Sequence, residues 1–265
     1  MNLIISNLLQ WLNDPIIDTL KVIKWASPIP SFGNPLQSKI ATLGINPSDK
    51  EFIDNSGKEL IQHNRRFHTL NSLGISTWDE IDTKQIQSIV DYCNDYFIRK
   101  PYDNWFKRLD YLISGSSISY YFPSREACHL DLVPYATEVK WGNLTSLQRN
   151  KLLGMYGGVL GKILKQSTIA VLILNGKTVI DNLEKISDVN YLVRPQPKWD
   201  LSRTTTKNVK GYSYEGYLTK VGDFDLDKKV FILGFNHNIQ SSFGVTSAVQ
   251  QEIREWISDK LKKYL

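Results

Sequence analysis

Short apolar segments alternate with amphipathic helix patterns along this chain, and this alternation limits the fold more than any other feature. Buried-strand character is found at residues 40–43, 127–133, 169–174 and 230–233, each segment being too short for a core helix. Helix patterns cover residues 64–73, 83–99, 102–113, 145–165, 177–185 and 245–264. Strands separated by helices predict an α/β fold with a central, mostly parallel four-stranded sheet that is covered on both faces.

The 265 residues suit one large domain, and no linker or repeat divides residues 1–265. Residues 1–35 are predicted to form a helical cap, because polar residues interrupt the apolar run and neither a signal peptide nor a membrane span fits. Residues 194–220 are predicted to form an inserted basic loop that leads into a hairpin or edge strand.

Charge and cysteine content narrow the function classes. The chain has 32 Lys and Arg against 27 Asp and Glu, a net charge of +5, which favours a polyanionic partner such as double-stranded DNA. Its 2 cysteines exclude a disulfide framework, a zinc knuckle and a four-cysteine iron–sulfur cluster. We expect a cytoplasmic protein with no cofactor, no metal and no obligate protein partner.

Polar residues follow the first two strands, at the sheet edge where parallel α/β proteins bind ligands. The first strand runs into GINPS, in which Pro47 holds the backbone just beyond Asn46; an amide there can hold a water molecule or simply form an Asx-turn. The second strand contains Asp131 inside an apolar run, followed by DLVPY. A carboxylate in such a strand faces a cavity or has a structural partner, because burying it unpaired costs several kcal/mol.

The loop after the fourth strand is rich in hydrogen-bond donors. It reads NHNIQSSFGV, residues 236–245, and either Asn236 or His237 is a candidate to stabilise a departing anion, although a loop histidine is commonly a satisfied surface residue. Positive charge is concentrated in the inserted loop at Lys198, Arg203, Lys207 and Lys210, which predicts either phosphate contacts or a solvated surface.

In this order, GINPS, DLVPY and the His/Asn loop resemble motifs of the uracil-DNA glycosylase superfamily, and NRRFHTLNSLGI at residues 64–75 looks like the helix after its first motif. The resemblance implies a three-layer αβα sandwich and hydrolysis of an N-glycosidic bond. In the superfamily the first motif positions the attacking water, a role that the resemblance gives to Asn46. It places Ser48 where uracil-specific members carry an aromatic residue that blocks pyrimidine C5. Asp131 stands where an Asn usually reads uracil.

These two differences argue for a 5-modified cytosine. An ionised carboxylate only accepts hydrogen bonds, so Asp131 suits the N4 amino group of cytosine and repels O4 of uracil. Excision of ordinary cytosine would damage the host genome, whereas Ser48 leaves room for a bulky C5 substituent. The pattern is similar to an anti-phage branch of the superfamily that removes α-glucosyl-hydroxymethylcytosine from phage DNA and leaves abasic sites.

The enzyme would flip the target nucleotide out of the duplex. Expected catalytic residues are Asn46, Asp131 and His237, with Asp131 also sharing a proton with N3 of the base if burial raises its pKa. Ser48, Phe52, Asp131 and Asn236 are expected to bind the base, with Phe52 the stacking surface and Phe67 either a second one or a core residue. Expected wedge and backbone contacts are Ile239, Gln240, Ser241, Ser242, Arg65, Arg66, Lys198, Arg203, Lys207 and Lys210.

Three alternatives stay open at this point. A repair glycosylase for uracil or for mismatched or oxidised pyrimidines would share Asn46 but should prefer an amide at position 131. A non-catalytic sensor of modified DNA would use the same pocket without cleavage. An unrelated α/β hydrolase is disfavoured, because no G-x-S-x-G elbow occurs.

Overall fold

A computed structural model describes residues 1–202, 208–240 and 244–264. Its α-helices are α1 (Asn2–Trp11), α2 (Ile16–Thr19), α3 (Leu70–Leu73), α4 (Thr83–Asn94), α5 (Asp103–Ile113), α6 (Ser146–Gln166), α7 (Lys177–Ile186) and α8 (Ser247–Leu261). Its strands are β1 (Ile40–Gly44), β2 (Ala127–Asp131), β3 (Val171–Asn175), β4 (Leu192–Pro195), β5 (Tyr212–Val221) and β6 (Phe224–Phe235).

All strands join one sheet in the order β2-β1-β3-β6-β5-β4. The four predicted segments, β2, β1, β3 and β6, pair in parallel, whereas β5 pairs antiparallel with both β6 and β4. The α/β class is therefore confirmed, but the predicted four-stranded sheet is wrong, since the sheet is mixed and has 6 strands. The predicted hairpin is present as β5–β6; β4 was missed because it is short and exposed.

Helices cover both faces of the sheet. Alternate strand residues enter two cores, as Leu172 and Leu174 do on one side and Val171 and Ile173 on the other. The first core is closed by α1, α6 and α7, and the second by α5 and α8. Helix starts are encoded locally: α6 begins at a capping box in which Thr145 and Gln148 each accept the other's backbone N–H.

The predicted helix over residues 64–73 is mostly wrong. Only the short α3 forms, and Thr69 caps its first turn through the Ser72 N–H. The preceding residues instead bond to the N-terminal segment, where the Ser27 N–H donates to the His68 carbonyl and the Leu70 N–H donates to the Trp25 carbonyl. Residues 1–35 thus contain α1, α2 and an extended stretch that lies against this segment. No helix among the described residues is long and apolar enough to cross a membrane.

Candidate active site

A small cavity of about 80 Å³ lies at the carboxyl ends of β1 and β2 and opens beside the exposed Ser48. That is room for one small planar group or about three water molecules, rather than for a whole nucleotide. Aromatic rings form much of its wall, and its polar groups are two carboxyl groups, one imidazole, one amide and the hydroxyl groups of Ser48 and Tyr102. The lining residues are Phe32, Ile45, Asn46, Pro47, Ser48, Glu51, Tyr102, Trp105, Phe106, His129 and Asp131.

Asp131 is the last residue of β2, and its side chain is only 3% exposed. It lies beside Gly44, its parallel partner on β1. A Cβ atom on Gly44 would come within 2.3 Å of Asp131 Oδ1 and 2.9 Å of His129 Nε2. The carboxylate and the imidazole therefore lean across the space that a side chain at position 44 would occupy.

His129 connects the cavity to a buried chain of hydroxyl groups. Its Nε2 lies 3.4 Å from Asp131 Oδ1, its Nδ1 lies 2.7 Å from Thr42 Oγ1, and Thr42 Oγ1 lies 2.5 Å from the Tyr120 hydroxyl. If Asp131 is ionised, the proton of a neutral His129 belongs on Nε2, so Nδ1 accepts from Thr42. The chain thereby places the proton of His129 on Nε2, the ring nitrogen that lies 3.4 Å from Asp131.

Asn46 lines the cavity, and the hydrogen bonds of its amide nitrogen fix the orientation of its side chain. Its Nδ2 donates to the Pro47 carbonyl at 3.1 Å, the Tyr135 carbonyl at 3.3 Å and Thr137 Oγ1 at 3.1 Å. Two of these partners can only accept, so the amide nitrogen must face them. No donor in the described chain reaches Oδ1, which leaves this oxygen to accept a hydrogen bond from water.

Glu51 is a second carboxyl group in the same cavity. Ser48 caps the 3-10 turn Asp49–Glu51 by accepting the Lys50 N–H, and this turn directs Glu51 inward, where it is 3% exposed. The Tyr96 hydroxyl donates to Glu51 Oε2 at 2.8 Å. Burial raises the pKa of Glu51 to about 7; the Tyr96 hydrogen bond and the Arg66 charge oppose this rise, and the Asp131 charge adds to it.

Two larger clefts adjoin the cavity and share Asn46 and Trp105 with it. The Lys140 cleft, about 930 Å³, passes the exposed Ser48 and is also lined by Lys50, Thr137, Lys140, Trp141 and Gln240. The Arg149 cleft, about 680 Å³, lies over the N-terminal ends of α6 and α7 and is also lined by Arg149, Asn175, Lys185 and Asn238. The site therefore combines a small cavity with two wider clefts, in which basic residues lie beside the acidic Asp49, Glu138 and Asp181.

The loop after β6 contributes different residues from those expected. His237 is 4% exposed and its Nε2 lies 2.6 Å from the Trp199 carbonyl, so it does not line the cavity. Asn236 holds the hairpin instead, since it accepts the Tyr212 N–H and donates to the Lys210 carbonyl. Asn238 is the exposed residue that lines both clefts.

The residues expected to enter the DNA stack also differ in their positions. Ile239 is 1% exposed and belongs to the core, which corrects the expectation that it enters the DNA stack. Gln240 lines the Lys140 cleft and accepts a hydrogen bond from Asn175 Nδ2 at 2.6 Å. Ser241 and Ser242 lie outside the described residues.

Phe52 and Phe67 do not line the cavity. Both are 1% exposed and their rings pack against each other, with Trp25 against Phe52 and Tyr96 stacked on Phe67. Their position is that of core residues, which corrects the expectation that Phe52 is the stacking surface. The rings that do face the cavity are those of Phe32, Tyr102, Trp105 and Phe106.

Of the four predicted basic contact residues that the structure describes, three form contacts within the protein. Arg66 donates to the Lys50 and Lys100 carbonyls and lies over the Tyr102 ring, and Arg65 is half-buried. Lys198 pairs with Glu252 and Lys210 pairs with Asp200. Arg203 and Lys207 lie outside the described residues.

Sequence reasoning missed Glu51, His129 and Trp105. His129 had a usable signal, because residues two apart on a strand point to the same face and it therefore joins Asp131. Glu51 had no comparable signal in the sequence, since its burial depends on Tyr96, which is distant along the chain. Within the described ranges no group of three or more His, Cys, Asp or Glu side chains could hold a metal ion. Comparison of the chain with protein-family models and with curated proteins finds no match.

Proposed function

We propose that the protein is a DNA glycosylase that flips and excises a 5-modified cytosine. The observation that carries this proposal is that the Asn46 amide and the buried Asp131 carboxylate line one ring-sized cavity, at the ends of two adjacent parallel strands. A resemblance to the uracil-DNA glycosylase superfamily, including its three-layer sandwich, is part of the proposal. It gives the two residues their roles as water-positioning and base-reading groups.

Asp131 selects cytosine. His129 occupies one side of the carboxylate, and the cavity offers the other side to a ligand. An ionised carboxylate accepts from the N4 amino group but faces O4 of uracil with like partial charge. Discrimination by a buried polar group that the wrong base leaves unpaired is worth several kcal/mol.

The exposed Ser48 gives the C5 substituent its space. It borders both the cavity and the Lys140 cleft, where Trp141 contributes an aromatic side chain and the exposed Asn143 an amide group. These groups suit a sugar attached through C5, for which α-glucosyl-5-hydroxymethylcytosine is the proposed example. Such a base occurs in phage DNA rather than in the host genome, so we propose an anti-phage role in the cytoplasm.

Cleavage would follow from the orientation of Asn46. With Nδ2 committed to three acceptors, Oδ1 accepts from a water molecule and holds it below the sugar. An amide cannot take the proton of that water, so the sugar must develop oxocarbenium character before the water attacks. Phe32, Tyr102, Trp105 and Phe106 enclose the flipped base and exclude bulk solvent.

The test incubates the purified protein with three matched DNAs that carry cytosine, uracil or α-glucosyl-5-hydroxymethylcytosine at one site, followed by alkaline cleavage of abasic sites. We expect strand breaks in the glucosylated DNA alone. Breaks in uracil DNA alone would identify a repair glycosylase. Binding to the glucosylated DNA without any breaks, by both the wild type and Asn46→Ala, would identify a sensor.

A further inference from the structure

Glu51 is a buried carboxyl group that the proposed mechanism does not use. Excision of cytosine needs more assistance than excision of uracil, because the ring carries an amino group in place of a carbonyl. Asn46 cannot supply a proton, and an ionised Asp131 that accepts from N4 has none to give. The acid for the departing base is therefore missing from the mechanism so far.

Hydrogen bonding fixes the orientation of Glu51. The Tyr96 hydroxyl accepts the Tyr102 N–H at 2.9 Å, so its own hydrogen is directed to Glu51 Oε2. Among the described residues, Oε1 forms no hydrogen bond, since the one bond to the Glu51 carboxyl group is made to Oε2. Oε1 is thus the oxygen that remains for a proton and for a ligand in the cavity.

The surroundings of Glu51 bring its pKa close to neutral pH, so the protonated form is well populated at pH 7 and dominant below it. Arg66 and Tyr96 stabilise the charged form, whereas burial and the Asp131 carboxylate disfavour it, and the net result is a pKa of about 7. His129 and Tyr102 are the other titratable groups of the cavity. Two carboxyl groups in so small a space favour one neutral donor and one ionised acceptor.

We propose that Glu51 is the general acid of the reaction, and that its Oε1–H protonates N3 of the departing cytosine while Asp131 accepts from N4. This assignment rests on the proposed glycosylase function. As the C1′–N1 bond breaks, its electron pair moves into the ring and the Glu51 proton binds N3, so the base leaves neutral. The water held by Asn46 adds its oxygen to C1′, and the proton it releases returns to Glu51 through solvent.

The test measures single-turnover excision of the glucosylated base from pH 5 to pH 9. Wild-type activity should fall as pH rises through about 7, where Glu51 loses its proton. Glu51→Gln keeps the shape of the side chain and the Tyr96 hydrogen bond but cannot give a proton. We therefore expect its excision rate to be lower by at least about 100-fold, and to show no decrease as pH rises through about 7. Its affinity for the DNA should stay within a few-fold of wild type.

Two further variants make the result specific. Tyr96→Phe removes a hydrogen bond that lowers the pKa of Glu51, so the falling limb should move to higher pH; this variant also carries the test if Glu51→Gln does not fold. Glu126→Gln, which only breaks an ion pair with Lys39 next to the opposite end of β2, should leave rate and profile unchanged.

The outcomes separate the two proposals. If the wild type releases no base from any of the three DNAs, the glycosylase function fails and this assignment fails with it. If the wild type excises the base and Glu51→Gln does so at the same rate with the same profile, only the assignment of Glu51 is overturned. An unshifted limb in Tyr96→Phe would likewise contradict it.

Discussion

At the scale of single residues, the proposed selectivity for cytosine depends on whether residue 131 carries a carboxylate oxygen or an amide nitrogen. Asp131 presents two acceptors in a buried wall, and an amide in its place would present one donor. Asp131→Asn should therefore lower excision of the modified cytosine by at least about 100-fold and shift the preference toward uracil. Parallel excision assays on the two DNAs measure this; Asp259→Asn, an exposed residue of α8, is the matched control. Unchanged selectivity would remove Asp131 as the base reader.

Gly44 protects the position of that carboxylate. Gly44→Ala would place a methyl group 2.3 Å from Asp131 Oδ1, so the carboxylate or β1 must move. We expect a loss of about 1–3 kcal/mol in the free energy of unfolding and a larger loss of excision. Gly154→Ala in α6, where nothing lies within 4 Å of the new methyl, should instead gain up to about 1 kcal/mol with activity unchanged. Equal effects of the two substitutions would contradict this argument.

Glu51 also makes stability depend on pH. Its pKa rises from 4.5 to about 7 on folding, so the folded protein binds the proton more tightly than the unfolded chain. Stability from this group is fully present below pH 4.5 and is lost as pH rises through about 7, by about 3 kcal/mol. Urea unfolding at pH 5 and pH 8 should show this loss for the wild type and not for Glu51→Gln. A pH-independent difference between the two proteins would refute it.

At the scale of secondary-structure elements, the predicted strands and helices were confirmed where apolar residues recur at regular spacing along the chain. β1, β2, β3 and the long helices follow from apolar spacing and local caps such as Thr145. The predicted helix over 64–73 failed because its backbone bonds to residues 25–27, a tertiary contact that periodicity does not record. Asn46 and Asp131 were found because they directly follow or end strands. His237, Ile239 and Phe52 were misassigned because the identity of a residue in a loop or turn does not show which way it faces.

The β5–β6 hairpin provides a test of this distinction. Asn236 bonds to both Tyr212 and Lys210, so it anchors β5 rather than a base. Asn236→Ala should lower the free energy of unfolding by about 1–3 kcal/mol while the excision rate stays within a few-fold of wild type. Calorimetry and the single-turnover assay measure both quantities. A stable variant with little activity would return Asn236 to base recognition.

At the scale of the whole molecule, the net charge of +5 matters less than where unpaired cations lie. Lys140 and Arg149 line the two clefts on either side of Asn46, and within the described chain neither forms an ion pair with a carboxylate. Lys198 and Lys210 each pair with one. A flipped nucleotide in the cavity would leave its flanking phosphates over the clefts, where cations can release counterions from DNA.

Charge removal at the two kinds of position should therefore differ. Lys140→Ala and Arg149→Ala should each weaken DNA binding and reduce the slope of log K against log salt concentration by about 1. Lys198→Ala and Lys210→Ala are matched controls that also remove one positive charge, and we expect changes in affinity below about twofold. Fluorescence anisotropy between 50 and 200 mM salt resolves these slopes. Because all four variants have the same net charge, equal slopes would mean that DNA responds to the overall charge, and that the clefts are not its docking surface.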